Sequence, residues 1–133
     1  MSDLNLLNNS LIYTPYAFCF FGILLFILSV GVIRQRRRAK VSMGTGGDLM
    51  LEKFHSAHSN FTQYVPMILI GALMAEIING QTGLLMTALA CLALGRGLHA
   101  YGVTRLNENF KFRISGMLLT FASLFLTILS VIV

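Results

Sequence analysis

Charge is scarce in this sequence. Asp, Glu, Lys and Arg make up 11% of its 133 residues, against 56% hydrophobic residues and a mean hydropathy of +0.75. A water-soluble domain of this length needs far more polar surface, so that class is excluded. Cysteine is scarce too: Cys19 and Cys91 each fall inside an apolar run, without the spacing of metal ligands, so neither a disulfide framework nor a metal site is indicated. Internal repeats and low-complexity tracts are lacking as well, which leaves one compact membrane domain, 1–133, with function inside the helical bundle or at its edges.

What is present is a series of long apolar runs. The first, residues 11–33, is long enough at about 1.5 Å per residue to cross a hydrocarbon core of about 30 Å, and Pro15 is tolerated in its first turns. Its leader, 1–10, is acidic at Asp3, and a basic stretch from Arg34 to Lys40 follows, the pattern of a retained anchor rather than a cleaved signal. After the glycine-rich stretch 41–48, residues 49–78 form a second helix that is polar in its first half and membrane-spanning from about 58. Asn79-Gly80-Gln81-Thr82-Gly83 is a short turn joining antiparallel neighbours. Spans at 84–103 and 114–133 complete an all-α bundle of four transmembrane helices, expected to be antiparallel and left-handed.

The net charge of +5 and pI near 9.7 do not call for nucleic acid, because the cations flank hydrophobic spans, where they set topology. The first loop carries Arg34, Arg36, Arg37, Arg38 and Lys40, the second carries none, and the third carries Arg105, Lys111 and Arg113. By the positive-inside rule, loops one and three are cytoplasmic and both termini lie outside, in agreement with four spans. Gly71 with Ala75, and Ala93 with Gly97, supply small-residue spacing for close helix contact.

The polar residues within the spans carry the functional information. Arg96 costs about 2.5–3.5 kcal/mol at a helix centre, which the leucines between Leu84 and Leu98 offset at about 0.3–0.6 kcal/mol each. His99 stands on the same face, three residues on. A snorkelling arginine and an interfacial histidine would explain this pair alone. On the second helix, however, Lys53, Ser56, Asn60 and Gln63 recur at spacings of three, four and three, the period of one helical face. His55, His58 and Thr62 form an adjacent stripe, and Tyr64 precedes Pro66. With Arg34 ending the first helix and Arg113 beginning the fourth, all four helices bring polar or cationic groups to one end, a setting for a small anionic ligand beside an apolar one. Glu76, near the opposite end, is expected at the interface or in a local pair.

At Ala57-His58-Ser59-Asn60-Phe61-Thr62-Gln63-Tyr64-Val65-Pro66, and again at Arg96-Gly97-Leu98-His99-Ala100-Tyr101-Gly102, the chain resembles the MAPEG family, membrane-associated proteins of eicosanoid and glutathione metabolism, most closely its bacterial branch. The resemblance covers nearly the whole chain. It implies a homotrimer in the bacterial inner membrane, with glutathione as cosubstrate held between subunits. Asn60 and Gln63 would hold the tripeptide backbone, Arg96 and His99 would contact its carboxylate or support its fold, and Lys53, His58 and Tyr64 would complete the binding set. Arg113 would be the catalytic cation that stabilises the thiolate. A lipophilic electrophile would enter from the membrane, to be conjugated or, if a hydroperoxide, reduced.

The sequence departs from the family pattern at Gln63, where the motif usually carries glutamate, and at Ser56 and Ser59, where eicosanoid-making members carry arginines; Val103 stands in place of a tyrosine. The implied function is a glutathione-dependent transferase or peroxidase. The alternative is a non-catalytic membrane protein that binds a lipid or small amphiphile on the same scaffold. A proton-coupled transporter would need an acid near the middle of a span, and the first helix has none.

Overall fold

The computed structural model describes residues 11–105 and 110–133. The acidic leader and residues 106–109 of the third loop lie outside the described residues. Four helices follow in chain order: α1 (Tyr13–Ala39), α2 (Leu49–Asn79), α3 (Gly83–Val103) and α4 (Phe110–Ile132). Each is long and apolar enough to cross a membrane. At 31 residues α2 is about 46 Å long, so its polar first turns extend past an apolar core of about 30 Å.

The chain runs up and down. Asn79 at the end of α2 donates to the Ser130 carbonyl at the end of α4 (2.8 Å), while Glu76 reaches the start of α1, so α1 opposes α2, and α2 and α4 point the same way. The α3–α4 contact is the most extensive, α1 packs mainly on α2, and α1 barely touches α3. One core cluster gathers Phe21, Leu28, Phe61, Val65, Ile68 and Leu92; a second, at the far end, holds Ala72, Ala75 and Leu85. Phe125 and Ile128 of α4 instead face outward, as lipid solvent permits.

The buried face of α4 is made of small and hydroxyl residues: Gly116, Thr120, Ser123, Thr127 and Ser130, spaced four, three, four and three. Such residues let helix backbones approach closely where lipid supplies no hydrophobic drive. A Cβ on Gly116 would lie 2.7 Å from the Gly95 carbonyl oxygen and 2.8 Å from the His99 Cβ, so this glycine pair sets the α3–α4 separation. Of the small residues singled out from sequence, Gly71 does approach Thr127, but Gly97 is exposed and has open space where a Cβ would stand.

Helix ends are satisfied by side chains. Asp48 and Thr82 cap α2 and α3 by accepting from the amides of Leu51 (2.7 Å) and Leu85 (3.2 Å). Glu76 is completely buried, and its carboxylate accepts from the amides of Ile12 (2.8 Å), Tyr13 (2.6 Å) and Thr14 (2.8 Å). The fourth orphan donor of that helix end does not exist, because the next residue is Pro15. Glu76 is therefore not in a local pair: it caps a helix more than sixty residues away in sequence, with a charge that suits a helix N-terminus.

Candidate functional site

At the basic end of the bundle, where α1 and α3 finish and α2 and α4 begin, the polar stripe of α2 divides in two. Ser56, Ser59, Asn60 and Gln63, together with His55, Glu52 and Thr45, line an open groove of about 450 Å³. Lys53 and His58 turn inward, whereas Thr62 is exposed and its hydroxyl donates to the Ser59 carbonyl at 2.9 Å. Lys53 is buried, and its Nζ donates to the Arg105 carbonyl at 2.8 Å, fastening α2 to the segment that follows α3. His58 faces α1, with Nε2 3.1 Å from Ser29 Oγ. Since Ser29 donates its own proton to the Leu25 carbonyl at 2.8 Å, its free role is acceptor, which selects the tautomer of His58 protonated on Nε2.

Arg96 is 2% exposed and lies between three helices. One terminal nitrogen donates to Asn60 Oδ1 on α2 (2.5 Å); the other donates to Thr120 Oγ1 on α4 (2.5 Å) and contacts Met117 Sδ (3.5 Å). Thr120 in turn donates to the Gly116 carbonyl at 2.8 Å. The planar fork of arginine suits such a bridge, since its donors diverge in a fixed plane. Binding Asn60 through its oxygen leaves the amide NH₂ group to the groove, which makes Asn60 the link between the buried charge and the open surface.

Within the protomer, Arg96 and His99 are therefore internal supports, not groove-lining groups. His99 is 4% exposed and packs against the first turns of α4, where the Arg113 backbone is its polar neighbour; Arg96 Nε has no hydrogen-bond partner among the described residues. The two residues stand three apart on α3 and form a polar interior against α4. Tyr64 packs edge-on against Phe121 at 5.6 Å, closing the α2–α4 seam on the membrane side of the groove. Arg113, in the first turns of α4, is exposed. Nearby, Arg105 stacks over the Tyr101 ring at 4.0 Å, and Tyr101 meets Phe112 edge-on.

The structure thus joins Asn60, Gln63, Ser56, Ser59 and His55 in one groove and anchors Asn60 through Arg96. It removes Lys53 and His58 from that groove. Thr120 and Glu52 are functional-site candidates that the sequence reading passed over: Thr120 because it hides in an apolar run, Glu52 because it stands one residue before the recognised stripe. The signal for Thr120 was the spacing of the α4 hydroxyls. Among the described residues no Lys or Arg side chain lines the groove, and no group of three or more His, Cys, Asp or Glu side chains is arranged to hold a metal.

Comparison with known proteins adds two findings. Residues 14–133 match the MAPEG family. The chain is also 31% identical over 109 residues to the inner membrane protein YecN of Escherichia coli K12, and equally to that of strain CFT073, with 82% of each chain covered. No solved structure matches.

Proposed function

Because this chain belongs to the MAPEG family and is an integral membrane protein similar to a bacterial inner membrane protein, we propose that it is a glutathione-dependent transferase or peroxidase acting on lipophilic electrophiles. The observation that carries this reading is the Arg96–Asn60 bridge, which holds a polar amide at the edge of an open, hydrogen-bonding groove. Glutathione is an extended peptide with amide groups, two carboxylates and one ammonium. Asn60 and Gln63 are suited to its peptide groups, and Ser56 and Ser59 to a carboxylate. Glu52, the one carboxylate lining the groove, takes the ammonium in place of the glutamate that Gln63 does not supply.

The missing cation comes, in this reading, from a neighbouring subunit. Arg113 is exposed on α4 and is presented by one protomer of a homotrimer to the groove of the next, with the basic end of the bundle facing the cytoplasm. Its charge favours the thiolate, the thiol proton passing to solvent. The sulfur then attacks an electrophilic carbon, forming a C–S bond as the leaving group departs. With a hydroperoxide it attacks the terminal oxygen, releasing an alcohol and a sulfenic acid that a second glutathione converts to disulfide and water.

Thiolate absorbance during titration of the detergent-solubilised protein with glutathione tests this. Wild type is expected to show a saturating rise that Arg113→Ala abolishes. Saturable binding with no thiolate signal would instead support the non-catalytic binding protein, a reading favoured by the lack of any Lys or Arg lining the groove of the single protomer among the described residues.

A further inference from the structure

The five cations at the end of α1 are more than a topology signal, because three of them are folded around a groove. α1 ends in a left-handed cap at Lys40 (φ 53°, ψ 38°), where the Val41 amide returns to the Arg36 carbonyl (3.1 Å) and the Lys40 amide to that of Arg37 (3.3 Å). The reversal carries Ser42 back along the helix, and its carbonyl accepts from Arg36 Nη1 at 3.2 Å. The result is a groove of about 410 Å³ lined by Ile33, Arg36, Arg37, Lys40, Val41 and Ser42. No carboxylate lines it. The last apolar residue of the span, Ile33, is half exposed and forms its membrane side.

The left-handed position is the second observation. Glycine is the residue that adopts this conformation without penalty, and lysine is strained there. Among the described residues Lys40 is the one non-glycine with positive φ, in a loop that uses glycine for the same purpose at Gly44, Gly46 and Gly47. Topology needs a positive charge near the span but not one in a strained cap, whereas a binding groove needs that charge held in place.

We propose that Arg36, Arg37 and Lys40 form a site for the phosphate headgroup of an anionic phospholipid, with Ile33 and Val41 against the first part of its acyl region. A free phosphate shares the headgroup chemistry, but the site begins where the apolar span ends, and its two apolar walls serve a lipid and not a free ion.

The test titrates the purified full chain in detergent with short-chain phosphatidylglycerol or phosphatidylcholine and counts bound lipid by native mass spectrometry. Phosphatidylglycerol is expected to bind at least about tenfold tighter. Lys40→Gly and Arg37→Gln should each weaken it about fivefold, and Arg38→Gln, which removes the same charge outside the groove, less than about twofold. Lys40→Gly relieves the strained cap, so its melting temperature should not fall and lost binding cannot be ascribed to unfolding. Equal losses in all three variants, no preference for the anionic lipid, or displacement of the lipid by equimolar inorganic phosphate would each overturn the proposal.

Discussion

Asn60 on α2 and Arg96 on α3 share a 2.5 Å hydrogen bond that ties the edge of the polar groove to the only arginine buried among the described residues. Because Thr120 completes the bridge, the three residues behave as one unit. Replacing Arg96 by Met leaves Asn60 and Thr120 without their donor and should lower stability in detergent by about 1.5–3 kcal/mol. Thr120→Val should cost about 1 kcal/mol, and the double variant less than the sum. Equilibrium unfolding of the four species in mixed micelles measures the coupling; strict additivity would dissolve the unit.

Glu76 should behave as a cap and not as a catalytic acid. Glu76→Gln retains one acceptor oxygen and removes the charge that suits a helix N-terminus, so about 1–3 kcal/mol of stability should be lost. Hydrogen exchange offers the local readout: the amides of Tyr13 and Thr14 should exchange faster in the variant, with little change at the basic end of the bundle.

Glycines should separate by position. Gly116→Ala brings a methyl group to 2.7 Å from a backbone oxygen of α3 and should destabilise by about 1–3 kcal/mol. Gly97→Ala meets nothing within 4 Å, so thermal melts should place it at or above wild type.

This contrast shows how far the sequence was legible. The four helices follow from runs long enough to cross lipid, and the α2 stripe announced a polar face by its periodicity. Periodicity does not say which flank of a stripe faces a neighbour, however. Lys53 and Asn60 lie close in angle around α2, yet one is buried against the Arg105 carbonyl while the other borders the groove. Nor does a lone glutamate declare its partner, because the amides that Glu76 holds belong to α1, in the opposite part of the chain. Thr120 escaped for a related reason: hydroxyl residues raise little contrast within an apolar run, and only their four-three spacing marks them as the buried face.

Two groove residues make opposite predictions for glutathione. Gln63→Glu adds an acceptor for the ammonium group and should tighten binding several-fold, whereas Glu52→Gln removes the carboxylate already present and should weaken it by about tenfold. Equilibrium dialysis with labelled glutathione distinguishes them. Equal affinities in both variants would show that the ammonium lies outside this groove.

The most direct measurement of the central claim is calorimetric titration of the folded, detergent-solubilised wild-type protein with glutathione, beside Asn60→Ala. Saturable binding, weakened about tenfold or more by the substitution, is the predicted result. Absence of binding to the folded wild type at millimolar glutathione would contradict the account and leave the groove to another ligand.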